Sequence, residues 1–508
     1  MWQPQQRAPA FQARRSPSGP SRANQASRSF RRLPSRGSQP SSPSSLLFTI
    51  SIVLTVAWGA LAFGAVYPWA YWPLLGACAA LGVGGLAFGA HRRPEIHKPL
   101  LSGLTLILLA GSLQLVPLPR SMLNRLSPRA DAVLQRHDLV YAADPNLPHP
   151  LSIRPEGGRL MLVFVAAFSL FSVGIAAALP RVSWPTLVRG LISLGAALGL
   201  LGILQKATFT REIYGFWSSQ YGGGSEPFGP FLNKNHFAGW MLMNLPVAIG
   251  YFYALAAANT HQSRWSWRRR VLWISSSEAH EILLVGAAIL VMALALVMTL
   301  SRAGIGIFVF VLAATRSLAG RRQAARWKRK VAILAVTALA VFTVMWVGID
   351  AVATRFLALP GSGLGGRVAI WRDTLTIIRD FPWTGSGLNS YGTAMLYYQT
   401  FGFPAYFPWA HNDYLQLAAE GGLLVGIPIA ILAALLVRQI RSRLRENTDW
   451  MSYAIRVGAV TGLGAIALQE CVDFSLQLPG NAALFSVLCA LAVAPAPPVS
   501  VPPPPRVR

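Results

Sequence analysis

Apolar residues in this chain gather into runs of about 20 positions, separated by short polar stretches, and a run of that length is what a helix needs to cross the hydrocarbon of a bilayer. The runs predict spans at Leu46–Val66, Tyr71–Ala90, Pro99–Leu118, Leu160–Leu179, Pro185–Ala207 and Phe237–Ala258. They continue at Ile282–Leu300, Gly304–Leu318, Val331–Val352, Tyr414–Val437, Tyr453–Val472 and Asn481–Ala496. The expected fold class is therefore an all-α integral membrane protein with about twelve transmembrane helices, Gly304–Leu318 and the last run being short for a span.

The polar stretches divide the rest. Residues 1–44 are Ser, Pro, Gln and Arg with no acid, too polar to bury a core, and read as a disordered basic tail ahead of an uncleaved signal anchor. Residues 45–496 form the polytopic membrane domain, and 497–508 a Pro-rich tail. Three connections are large enough to hold a site: Pro119–Arg159, Thr208–Asn235 and Ala353–Asp413. The last has about 60 residues, far beyond an ordinary connector. Within it Arg367–Asp380 has helical periodicity, with Arg367, Trp371, Leu375 and Ile378 on one face, which suits a helix lying in the membrane interface. Pro382 should stop that helix, and Thr384-Gly385-Ser386-Gly387 should form a flexible turn.

Composition strengthens the membrane reading. Hydrophobic residues make up 53% of the chain and charged residues 12%, where a soluble protein carries roughly a quarter charged; mean hydropathy is +0.44. The formal charge of +27 raises the question of nucleic acid, but the arginines sit in short clusters between apolar runs and not on one soluble module. They fall on alternate connections: Arg92-Arg93 with Lys98, Arg181, Arg264 with Arg268-Arg269-Arg270, Arg321 to Lys330, Arg438 to Arg445, and the terminal Arg506 and Arg508; Pro119–Arg159 also carries arginines, partly offset by Asp131, Asp138, Asp144 and Glu156. This is the positive-inside bias, and it places both termini in the cytoplasm and the three large connections outside. Cys78, Cys471 and Cys489 lie in or beside apolar runs and read as small core residues, with no disulfide framework.

Three polar clusters occur at the outer boundary. The densest is Ala410-His411-Asn412-Asp413-Tyr414-Leu415-Gln416, followed by Glu420-Gly421-Gly422 and Gly426. Asn412 or Asp413 can cap the helix that begins here; Asn412, Gln416 and Glu420 share a face; and Gly422 with Gly426 has the spacing of a helix-packing surface. His411 lies half a turn out of phase with Glu420, so the acid orients it only if the chain bends. Side-chain chemistry alone leaves His411 either a proton acceptor or an interfacial polar residue. Ser301-Arg302-Ala303-Gly304 puts an arginine at a helix end, where it binds an anion or snorkels to lipid phosphate. Asn233-Lys234-Asn235-His236 offers amides, a cation and a helix N-terminus. With Arg367 these clusters suit a phosphate-bearing lipid. The sequence has no Asp-x-Asp pair, P-loop or zinc spacing, so neither a metal nor a cofactor is expected, and charge neutralisation would fall to the protein's own cations.

These stretches resemble the O-antigen ligase and polymerase superfamily. The resemblance rests on His411-Asn412-Asp413-Tyr414-Leu415 with Glu420-Gly421-Gly422, on Phe231–Gly239, Ser301–Gly304 and Gly366-Arg367 with Trp371, and on Asp473–Asn481. It covers roughly Thr208 to Leu491 and does not separate the superfamily's branches. It implies a GT-C-type, metal-independent, inverting glycosyltransferase of the bacterial inner membrane. Such an enzyme moves a glycan from an undecaprenyl diphosphate carrier to an acceptor hydroxyl, on a lipid or a glycan, at the periplasmic face. It further implies that His411 is the catalytic base and that Arg302, Arg367 and Lys234 bind the diphosphate, with Asn233, Asn235, His236, Asn412 and Glu420 in support.

The wording of the motifs lies nearest the ligases; a polysaccharide polymerase of the same superfamily is the alternative. A flippase or transporter of lipid-linked glycan is a further reading, against which no internal repeat is found. Tyr397, Tyr398, Phe401, Phe403, Tyr406, Phe407 and Trp409 crowd the long outer connection, where they either stack on sugars or anchor the loop at the interface.

Overall fold

The computed structural model describes residues 42–89, 98–208, 212–218, 226–258, 275–320, 364–402, 405–446 and 449–497. The expected span Val331–Val352, nearly all of the basic tail, almost the whole of the Pro-rich tail and the arginine clusters at 268–270 and 321–330 lie outside these residues. Every other expected span coincides with a helix: α1 (Pro43–Leu61), α2 (Pro68–Gly89), α3 (Lys98–Leu113), α7 (Pro155–Ala178), α8 (Trp184–Ala207), α9 (Lys234–Ala258), α10 (Ser277–Met298), α11 (Arg302–Gly320), α14 (Asp413–Arg445), α15 (Trp450–Gln469) and α16 (Pro479–Val493). Among the described residues eight helices are long and apolar enough to cross a membrane, and Lys98–Leu113, Arg302–Thr315 and Pro479–Val493 are shorter apolar helices.

The bundle is centred on α9 and α15, of whose apolar windows 72% and 67% are buried, against 6% for α14. Between lipid-facing helices no water is released on contact, so close backbone packing has to supply the attraction. Small residues permit it: a methyl group on Gly458 would lie 2.4 Å from the Pro246 carbonyl oxygen, and one on Gly462 would lie 2.5 Å from that of Met243. The helices therefore meet backbone to backbone along α9.

A second core lies apart from the bundle core. Short helices α4 (Arg120–Leu126), α5 (Pro128–His137) and α6 (Leu139–Ala143) of the first large connection pack against α12 (Leu364–Asp380) and α13 (Tyr391–Tyr398) of the third. Leu123, Leu134 and Tyr141 from one meet Ile377, Phe381 and Met395 from the other. The two connections thus form one cap, clamped by Arg129, which pairs with Asp380 at 3.0 Å and donates to the Tyr398 hydroxyl at 2.9 Å.

The cap corrects several expectations. Helix α12 buries Ile370, Thr374 and Ile377, whereas Leu375 is exposed, because the helix roofs a core of its own. Tyr398 is buried and Phe401 packs on Phe407, so these rings are structural; Phe403 lies outside the described residues. Cys78 and Cys489 are buried as expected, but Cys471 is exposed beyond the end of α15.

Candidate functional site

Helix α14 is two helices joined at a break. Gly422 adopts φ 54°, ψ −157°, a conformation open essentially to glycine alone. A break inside a span leaves backbone groups without partners, and in a membrane each must find one. The segment 382–387 supplies them. Ser386 N–H donates to the Ala419 carbonyl at 2.9 Å and Gly387 N–H to that of Glu420 at 3.0 Å. In return Leu423 N–H donates to Pro382 and Leu424 N–H to Trp383, at 3.0 and 2.9 Å. The Gln114 amide donates to the Thr384 and Glu420 carbonyls, at 2.6 and 2.9 Å. The expected flexible turn is therefore a paired insert. The expected Gly422–Gly426 packing surface is absent: Gly422 is the break, and a methyl on Gly426 would meet nothing within 4 Å.

Glu420 completes this joint. Its carboxylate accepts from Asn389 N–H at 3.0 Å and Tyr391 N–H at 2.9 Å, holding the start of α13. It supports the site as a staple and does not orient His411. Its neighbour Gln416 accepts from Ala410 N–H at 3.0 Å, and the Trp371 indole donates to the Ala410 carbonyl at 2.9 Å. Asn412 caps α14 by accepting from Leu415 N–H at 3.0 Å, and its amide donates to the Cys471 carbonyl at 2.8 Å. Held from both sides, His411 takes a left-handed φ of 52°, the kind of uncommon backbone state found at functional sites.

The His411 imidazole is packed among rings. It stands edge-on to Phe474 at 5.0 Å; Trp409 stacks on Phe474 at 4.7 Å and 9°, and His236 meets the same ring edge-on at 4.6 Å. His411 Nδ1 is buried and has no hydrogen-bond partner among the described residues. Burial, and then the positive charge of Arg367, lower its pKa to about 4, so the ring is neutral over the physiological range.

The other motifs converge here. The start of α9 is tied to the stretch after α15: the Gln469 amide donates to the Asn235 carbonyl at 2.8 Å and to Ser475 Oγ at 3.0 Å, and the Asn481 amide to the His236 carbonyl at 3.1 Å. A methyl on Gly304 would lie 3.1 Å from Ala238 Cβ, so the first turn of α11, which Arg302 opens, lies against α9. Among the described residues neither Arg302 nor Arg367 has an ion-pair or hydrogen-bond partner. Lys234 differs, because its ammonium is paired with Glu226. Asn233 is turned inward on the chain, its side chain accepting from Asn235 N–H at 2.9 Å.

Sequence reasoning named the stretch 473–481 but assigned no site residue in it. Asp473 lies buried 3.8 Å from His236 Nε2. Burial raises its pKa to about 6, while the Phe474 N–H, Arg367 and Asn235 pull the other way. Phe474 supplies the ring on which both histidines rest. The signal for these residues was their recurrence in a motif; their proximity to His411 was invisible because 61 positions separate Asn412 from Asp473.

Helices, cap and site together define a multi-pass membrane protein with a polar site where the cap meets the bundle. Residues 287–430 match the family model described as O-antigen ligase, a stretch that holds Arg302, Arg367, His411 and Glu420. The match agrees with the resemblance of the motifs to the O-antigen ligase and polymerase superfamily over this stretch of the chain. No curated protein matches the chain.

Proposed function

We propose that the protein is a ligase-type glycosyltransferase of the bacterial inner membrane, transferring a glycan from undecaprenyl diphosphate to an acceptor hydroxyl on the periplasmic side. The observation that carries this reading is a half-buried, neutral imidazole that feels the charge of Arg367, an arginine that, like Arg302, has no ion-pair or hydrogen-bond partner among the described residues. His411 takes the proton of the acceptor hydroxyl as that oxygen bonds to the anomeric carbon. The bond from that carbon to the diphosphate breaks on the opposite face, inverting the centre, and the diphosphate leaves with the electron pair. Arg302 and Arg367 stabilise its charge. Among the described residues no carboxylate bonds to the imidazole; the Phe474 ring, backed by Trp409, positions it.

The polymerase alternative needs a second diphosphate site. Candidates are Arg120, Arg125, Arg129 and Arg136 of the first large connection and Lys206 with Arg211; Arg120 and Arg129 are paired with Asp131 and Asp380, and counting cations does not separate the two branches. The deciding assay uses purified protein with carrier-linked glycan. Transfer that requires an added acceptor supports the ligase; a lengthening ladder of carrier-linked product without acceptor overturns it in favour of the polymerase.

A further inference from the structure

At the far end of α14 from His411, the helix carries four arginines and no lysine: Arg438, Arg441, Arg443 and Arg445. They divide by direction. At about 100° per residue, Arg438, Arg441 and Arg445 fall within about 60° of one another, while Arg443 points well away from them. Arg443 is buried, donating to the Val493 carbonyl at 2.9 Å and pairing with Glu446 at 2.5 Å. The other three are exposed, and none has an ion-pair or hydrogen-bond partner among the described residues. Together with Ala434, Val437 and Ser442 they line one open, exposed face of the helix.

The lining has two zones in order along the helix, apolar Ala434 and Val437, then the three guanidinium groups and a hydroxyl. Beyond the break, the stretch Leu423–Val437 carries no charge and rises about 22 Å along the helix. Arg438 ends it, at the end of the helix away from the site, where an apolar stretch gives way to headgroups. A ligand there must present an acyl chain to the first zone and an anion to the second. Guanidinium forks match phosphate oxygens bidentately, and partnerless arginines retain that capacity.

We propose that this face binds an anionic phospholipid at that end of the helix, its phosphate held by Arg438, Arg441 and Arg445 and its chain lying along Ala434 and Val437. The site is separate from His411 and does not depend on the transferase reading.

The test is native mass spectrometry of the full chain released from nanodiscs containing phosphatidylglycerol and phosphatidylcholine. Wild-type protein should retain phosphatidylglycerol in preference by about 10- to 100-fold. R438Q/R441Q/R445Q should lose that preference, and R438K/R441K/R445K should lose most of it. Equal retention by wild-type and Gln protein overturns the proposal; full retention by the Lys protein shows that diffuse charge suffices and overturns it too. Soluble glycerol phosphate should not displace the lipid, and displacement by it would identify a free-phosphate site instead. If the triple variant does not fold, R441Q alone should lower the preference several-fold, and no change in it overturns the proposal.

Discussion

An imidazole acts as a base only while it is neutral. The pKa of His411 is depressed to about 4 by burial and by Arg367, so the working form is complete above about pH 5 and is lost as pH falls through 4. Transfer should be level from pH 8 to 5.5 and fall to half near pH 4. Arg367→Gln removes a repelling charge, so its acid limb should move upward; a wild-type rate that titrates near 6.5 would contradict this environment. His411→Ala should lower transfer by about 10²–10⁴-fold with normal membrane accumulation, scored by immunoblot and product assay. Arg302→Lys and Arg367→Lys keep the charge but lose the fork; both should be impaired, and the Ala variants more so. Full activity in Arg302→Ala would mean that this side chain only snorkels.

At the scale of elements, hydropathy was enough to find the helices because a bilayer sets one length for all of them. The break in α14 could not be read, because Glu420-Gly421-Gly422 sits inside an apolar run whose average is unchanged by it. Nor could the joint cap be read: Arg129 and Asp380 lie in separate loops, and nothing local pairs them. Glu420 illustrates how a site motif can be structural. Glu420→Ala would leave the buried N–H groups of Asn389 and Tyr391 unsatisfied, costing about 2–5 kcal/mol. Thermal unfolding in detergent should show a clear drop in Tm, and an unchanged midpoint would refute the staple. Gly422→Ala should be at least as damaging, since its methyl would lie 2.4 Å from the Gly385 nitrogen.

For the whole molecule, charge placement assigns sides that the helices alone do not. Reporter fusions after Lys330 and after Gly392 should report opposite compartments; agreement between them would remove the outward-facing site. The break in α14 has a consequence of another kind. Ala419, before it, belongs to the core of the cap, and Val425, after it, packs with Ala110 and Leu388. One continuous stretch of chain is therefore owned by two packing units, with carbonyls before the break and amides after it bonded to a third segment. Opening of that segment should free all of them together. In hydrogen–deuterium exchange, the amides of Ser386, Gly387, Leu423 and Leu424 should gain deuterium at a common rate, while those of the membrane half, from Ile427 onward, stay protected.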